Sequence, residues 1–488
     1  MKRLSNDVLT QRPTLPEKIV QFGEGNFLRG FIDWMIHQMN KQGLFNGSIV
    51  AIQPTPHGRI LPKLARQDYL YTTVLRGIQE NQVIDQAEVV TSISRGINPY
   101  SDWQEVLSLA QNKDIQFIFS NTTEAGLAYK EEKYEPETAP PSFPGKLALF
   151  LYERFQSAQG DPNSGFYIFP CELVENNGDL LKEIVLKVSQ DFGFPEAFRS
   201  WIESANHFYN TLVDRIVTGF PKTNGEVEAF YNTFHYEDEL LTIGEPYHLF
   251  VIDGPITMEE LLPFQQVGLN IQWTSVKPFR ELKVRILNGL HTMMYAIGLL
   301  KGKETVLEVM EDNALRAMID HCLQQEIFPV LETSDEEKAV FAESVIQRFL
   351  NPFNHHQLSD IGLNGLSKFR VRVLPTLLDY IEKYHQVPEI LSYSFAASLL
   401  YYRVHYYEGD TAYGQWKGKT YPLKENNETL KFLEQAWQNY DDTSEKMEAV
   451  VNTILENQTL WEKNLNKVPT LKKKVIHFLS KLLADSSS

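Results

Sequence analysis

Near its start the chain runs KIVQFGEGNFLRGF: a strand pattern over residues 18–21 passes through Gly23 and Gly25 into a helical pattern over residues 27–39. Glycines at a strand-to-helix turn permit a tight reversal and close approach of a ligand to the backbone. The helix N-terminus then offers free N–H groups to a pyrophosphate. The motif is incomplete, because its usual third glycine position holds Leu28 and Gly30 follows two residues later. Alone, the pair also fits a plain strand–helix turn. Its place at the head of an alternating pattern favours the nucleotide-binding reading.

That alternation continues. Residues 49–52, 69–75, 83–93, 115–120 and 166–169 read as strands, and 101–111 and 145–157 as helices. The first of these helices opens on a capping pair, Ser101 and Gln104. Strands alternating with helices imply an α/β fold with a mainly parallel sheet covered on both faces. Residues 130–144, rich in Glu and Pro, read as a surface excursion. From Pro278 the texture becomes helical, over 283–300, 304–324, 335–350, 375–385, 389–402 and 429–438. A division near residue 275 follows, with a dinucleotide-binding domain over 1–274 and a mainly α-helical domain carrying substrate and catalytic groups over 275–488.

Ligands of such sheets lie beyond the carboxyl ends of the strands. Candidate cofactor contacts are therefore Gly23, Glu24, Gly25, Asn26, Phe27 and Leu28 in the turn, and Gln53, Asn121 and Thr122 after later strands. Gln53 stands where an acidic residue would signal NAD; its amide can bond ribose hydroxyls without excluding NADP. Arg59 either reaches a 2′-phosphate or is a surface arginine. Asn121 and Thr122 also fit as caps of the next element.

The stretch PFRELKVRILNGLHTMMYAIGLL carries the chemistry. On a helix, Lys283, Asn288 and His291 fall within an arc of about 140° at roughly 100° per residue. Oxidising a secondary alcohol requires a base for its proton while hydride leaves. A lysine partly shielded from water can serve, and acts as the acid in reduction. An amide can donate to the developing alkoxide, and an imidazole can hold a substrate oxygen. Any one of these residues alone fits a helix surface; the trio on one arc points to a site.

Composition narrows the classes. Two cysteines, Cys171 and Cys322, exclude a disulfide framework and fit a reducing compartment. A net charge of −17 argues against nucleic acid as a partner. The basic N-terminus lacks the apolar core of a secretory signal, and no apolar run is long enough to span a membrane. A cytoplasmic protein without membrane partners is expected, as a monomer or small homo-oligomer. His355 and His356, adjacent in sequence, point apart on a helix, and no metal is expected. The Tyr401–Tyr407 cluster reads as packing with a wet rim, and the basic tail LKKKVIHFLSKLL as an amphipathic helix.

GEGNFLRGF, LVDRI at residues 212–216 and KVRILNGLH together resemble the polyol-specific long-chain dehydrogenase/reductase, or mannitol dehydrogenase, family. PCELVENNG, GEPYHLFVIDGP and LSKFRVRVLP are similar to its tagaturonate reductase (altronate oxidoreductase) branch. The resemblance implies a Rossmann-type N-terminal domain, a helical C-terminal domain and a metal-independent site between them. It also implies NAD as cofactor and a small sugar acid as substrate, tagaturonate being reduced to altronate in galacturonate breakdown. Lys283 then matches the catalytic lysine, Asn288 the oxyanion-binding asparagine and His291 the substrate-binding histidine; Asp214 and Lys368 match substrate positions. Two departures weigh against mannitol: Leu173 replaces a second oxyanion asparagine, and Asp360 replaces a polyol-binding arginine. For the substrate carboxylate the chemistry nominates Lys368, with Arg370 or Arg403 behind it. Fructuronate or mannitol on the same scaffold, a non-catalytic nucleotide sensor, and a metal-dependent hydrolase are the rival readings.

Overall fold

The computed structural model describes residues 1–9, 12–438, 440–441 and 443–487. Two compact units divide the chain, Met1–Phe279 and Arg280–Ser488.

The first unit is built on six parallel strands: β1 (Glu17–Phe22), β2 (Ser48–Ile52), β3 (Ile93–Ile97), β4 (Phe117–Ser120), β5 (Tyr167–Pro170) and β6 (His207–Phe208). Their spatial order is 3-2-1-4-5-6, the doubly wound order of dinucleotide-binding sheets, with its switch point between β1 and β4. The central strands carry apolar side chains on both faces because helices cover both. Ile19, Ile49 and Phe117 belong to one core; Val20, Val50 and Ile118 belong to the other.

Several expectations change here. The helix after the glycine turn is broken into α1 (Asn26–Arg29) and α2 (Ile32–Lys41) at Gly30 and Phe31. The buried Arg29 guanidinium donates back to Glu24 O at 2.6 Å, and Arg215 donates to Gly30 O at 2.8 Å, so this backbone is held by side chains instead of a continuing helix. Residues 69–93 do not add two parallel strands. Tyr71–Gln79 and Gln82–Val90 form an antiparallel hairpin in a separate sheet, and β3 begins only at Ile93. Glu80 and Asn81, both with positive φ, form its two-residue turn. The Ser101–Gln104 capping pair is also not formed: Ser101 Oγ donates to Asp102 at 2.5 Å, and the helix α3 (Trp103–Gln111) starts later. The helix over residues 145–157 is seen as α4 (Phe143–Ser157), capped by Ser142, whose hydroxyl accepts from Gly145 N at 2.9 Å.

The second unit is largely helical. Helix α5 (Val276–Leu282), within which the division falls, leads into a single π-helical turn, Lys283–Asn288, and then α6 (Gly289–Leu300). Almost every α6 side chain is buried, as in a helix enclosed by others. Around it pack α7 (Asp335–Phe349) by way of the π turn, α8 (Leu358–Ile361), α9 (Gly365–Arg372) and α11 (Glu389–Tyr401). Helix α10 (Leu374–Tyr384) follows α9 directly. Residues 304–324 are not one helix, because Asp312 caps a new start and accepts from Ala314 N and Leu315 N. Residues 406–422 form a small antiparallel sheet that the aromatic cluster did not announce. The terminal helix α12 (Leu471–Ser487) buries Leu471, Val475, Phe478, Leu479 and Leu482, which is the amphipathic pattern expected of the tail. No helix among the described residues is long and apolar enough to cross a membrane.

Candidate active site

In the first unit the glycine turn sits at the switch point. Gly23 N donates to Ile52 O at 3.0 Å, and Asn121 N donates to Phe22 O at 3.1 Å, which ties together the ends of β1, β2 and β4. Gly23 has φ +120°, and a Cβ there would meet Asn121 O at 2.8 Å. Only glycine fits without displacement. Gly25 differs: its φ of −69° and ψ of 170° suit any residue, and a Cβ there would have nothing within 4 Å. The fold does not need that glycine.

The neighbouring candidates occupy one region with uneven freedom. Asn26 Oδ1 accepts from Arg29 at 2.7 Å, and Leu28 is buried in the core. Phe27 is half-buried and stacks on Phe31, with centroids 4.9 Å apart. Glu24 is buried, and desolvation pushes its carboxyl up to about 7 despite nearby Arg29. Gln53, at the end of β2, donates its amide to Thr55 O at 2.7 Å, while Arg59 is exposed. Asn121 donates to Cys171 O at 2.9 Å. Thr122 gives both N–H and hydroxyl to Glu172, at 2.9 and 3.0 Å. Ser120 also donates to that carboxylate, at 3.0 Å, so buried Glu172 fixes the β4 end. Sequence reasoning missed this positioning role, since Glu172 lies some fifty residues from what it holds. Asp214 ends a buried strand, Thr211–Asp214, and Leu173 is exposed.

In the second unit the trio lies on the π turn and the first turn of α6. The i→i+5 bonding of a π turn under-winds the helix, so Lys283 and Asn288, five residues apart, come closer to one face than even α-helical spacing allows. Arg285 anchors this turn to α10, donating to Thr376 Oγ1 at 3.1 Å and pairing with Asp379 at 2.6 Å. Lys283 and Asn288 are half-buried, and His291 is 9% exposed. The imidazole lies against the rings of Phe349 and His356, with centroids 4.4 and 4.8 Å away. Burial first, then His356, Arg348, Arg372 and Lys368, hold His291 well below the usual histidine range, so it is neutral. No side-chain hydrogen bond engages Asn288 or His291 among the described residues.

Helix α9 supplies the next layer. Buried Glu425 caps it, accepting from Leu366 N at 3.0 Å and Ser367 Oγ at 3.2 Å. Lys368 donates to Ile361 O at 3.0 Å; burial and then Arg372 lower its pKa, against Glu425 and Asp360. Arg370 is not brought to this group. Two residues from Lys368, it faces the other way, donating to Leu460 O at 3.4 Å and pairing with Glu462 at 3.5 Å. Arg403 stacks over Trp437 and Tyr440 at 4.9 and 5.2 Å. His355 and Asp360 are exposed, and no group of three or more His, Cys, Asp or Glu able to hold a metal occurs among the described residues. A groove of about 890 Å³ in this unit, lined by Lys301, Trp416 and Tyr421 among others, contains none of the trio.

The doubly wound sheet with its glycine turn and the lysine–asparagine–histidine helix together define an α/β protein with a Rossmann domain and a largely helical C-terminal domain. Family models agree: residues 17–264 match the mannitol dehydrogenase Rossmann domain, and residues 275–483 match the mannitol dehydrogenase C-terminal domain. The chain belongs to the mannitol dehydrogenase family. It is 46% identical to an altronate oxidoreductase of Halalkalibacterium halodurans, over 96% of this chain and 92% of that one. Identity to the altronate oxidoreductase of Bacillus subtilis is 40%, over 98% and 95%. Among solved structures, a D-sorbitol dehydrogenase in substrate-free form superimposes with a TM-score of 0.77 at 22% identity, over 99% and 98% of the two chains. Pseudomonas fluorescens mannitol 2-dehydrogenase, in complex with NAD and D-mannitol, gives 0.69 at 20%, over 100% and 98%.

Proposed function

We propose that this chain is an altronate oxidoreductase, a cytoplasmic enzyme that reduces tagaturonate to altronate with NADH, without a metal. The observation that carries this reading is its identity of 38–46% to altronate oxidoreductases over at least 96% of its length. The sequence division gives each part a role: residues 1–274 bind the dinucleotide, and residues 275–488 bind the substrate and move the proton.

Gly23 and Gly25 fit a dinucleotide, the first by shaping the turn and the second by leaving space beside it. Glu24, Asn26, Phe27, Leu28, Gln53, Asn121 and Thr122 complete that region. When bound, the cofactor supplies hydride to the ketone carbon. Lys283 delivers the proton to the carbonyl oxygen, and the Asn288 amide donates to that oxygen as charge gathers on it. Neutral His291 orients a substrate hydroxyl, with Asp214 and Lys368 as further substrate contacts. Ketone, hydride and proton together give the secondary alcohol. Leu173 offers no amide, so the oxyanion rests on Asn288 and Lys283.

Initial rates of NADH oxidation with tagaturonate, fructuronate and fructose, each repeated with NADPH and with chelator, test this. Fast, chelator-insensitive turnover of tagaturonate with NADH is the expected outcome. Preference for fructuronate or fructose would overturn the substrate, and chelator sensitivity would overturn the metal-free chemistry.

A further inference from the structure

We infer that Arg372, acting with Lys368, binds the carboxylate of the sugar-acid substrate, a role that rests on the proposed function and identifies how the site tells an acid from a neutral ketose. Both cations lie on α9 at positions i and i+4, so both face the same side of it; Arg370, between them, faces away. The C-terminal end of α9 lies against the catalytic helix: a Cβ on Gly289 would be 3.5 Å from Arg372 O. Gly289 directly follows Asn288 and precedes His291 by two residues, so this junction brings the C-terminal end of α9 to the backbone that carries them. Arg372 acts electrostatically on both His291 and Lys368.

The second observation is the state of the Arg372 side chain. It is half-buried, yet it makes no hydrogen bond or ion pair among the described residues. Burial lowers its pKa and no carboxylate opposes the shift. Other buried or half-buried arginines of this chain are matched: Arg215 reaches Glu245 O, Arg285 reaches Asp379, and Arg29 reaches Glu24 O. Removing a guanidinium from water without a partner is costly, and guanidinium is the group best shaped to take a carboxylate through two parallel hydrogen bonds. Lys368 spends donors on Ile361 O and Asp360 O, at 3.0 and 3.4 Å, which holds its ammonium in place as a point charge beside the fork. In tagaturonate a run of hydroxyl-bearing carbons separates ketone from carboxylate.

The test compares tagaturonate with tagatose, the neutral ketose bearing a hydroxymethyl group in place of the carboxylate, for the native enzyme and for Arg372→Gln, Arg372→Lys and Arg370→Gln. Arg372→Gln is expected to raise KM for tagaturonate by about 30- to 100-fold, with kcat changed by less than about 3-fold and tagatose kinetics unchanged. Arg372→Lys retains the charge and loses the fork, so a rise of about 3- to 10-fold is expected. It also keeps the test decisive should the glutamine variant fold poorly. Arg370→Gln is expected to leave the acid-to-neutral preference intact. An equal loss on both ketoses, an unchanged tagaturonate KM in Arg372→Gln, or a collapse of preference in Arg370→Gln would overturn the assignment. If the native enzyme reduces tagaturonate but Arg372→Gln keeps its preference, only the carboxylate site fails. If the native enzyme reduces tagatose and not tagaturonate, the proposed function fails and the site with it.

Discussion

Replacing Lys283 by alanine is expected to lower kcat for tagaturonate reduction by about 10²- to 10⁴-fold, the range that a positioned acid or base supplies. The lysine stands half-buried at the start of the π turn, and Arg285 fixes that turn through Thr376 and Asp379. No other cation shares the turn except Arg285, whose guanidinium is engaged by Thr376 and Asp379. The proton then has to come from water. Because the loss concerns the transition state alone, kcat and kcat/KM should fall together. NADH affinity, which the proposed function assigns to residues 23–28 and their neighbours, should stay unchanged by fluorescence titration. Near-normal turnover in the variant would remove the lysine from the mechanism.

Gly25→Val is expected to weaken NADH binding by about 10- to 100-fold, the equivalent of roughly 1–3 kcal/mol of steric conflict, with the melting temperature within about 2 °C of the native value. The two glycines of the turn separate folding from binding. Gly23 has φ +120° and no room for a Cβ, so Gly23→Ala strains the turn whether or not a cofactor binds. Gly25 has extended backbone and no atom within 4 Å of where a Cβ would stand, so a side chain there has space in the protein itself and would compete with a dinucleotide for it. Loss of stability in Gly25→Val, or unaltered NADH binding, would mean that the space beside Gly25 is not where the dinucleotide lies.

Much of the scaffold could be read because its signals are local. The apolar runs of β2 and β4 are short, unbroken and bounded by polar turns, which is the pattern of a strand buried on both faces. Helix α7 begins at Ser334, whose hydroxyl and Glu337 form a reciprocal cap. Where the reading failed, a turn without glycine or proline or a distant partner decided. Residues 83–93 look like one strand, but the hairpin turn at Glu80 and Asn81 sends the first part antiparallel and leaves β3 to the parallel sheet. Helix α1 ends where buried Arg215, from nearly two hundred residues away, claims the carbonyl of Gly30.

The site was legible to a similar depth. Lys283, Asn288 and His291 stand out by spacing, yet nothing in KVRILN announces the π turn, since it contains neither proline nor glycine. Arg372 could have been found from the i, i+4 spacing in KFRVR. The chemistry of the side chains alone places Lys368 first with Arg370 or Arg403 behind it, and the helix turns Arg370 to Leu460 and Glu462. Glu172 and Glu425 carry no motif at all. Each holds a strand end or helix start through several donors, and that role exists only in the folded chain.

The most direct test of the central claim is to run the reaction with NADH deuterated at the reactive C4 position and tagaturonate, and to identify the product by NMR and mass spectrometry. The account predicts altronate carrying a single deuterium on the carbon that had been the ketone. A product without deuterium at that carbon, an epimeric acid, or no consumption of tagaturonate would contradict it.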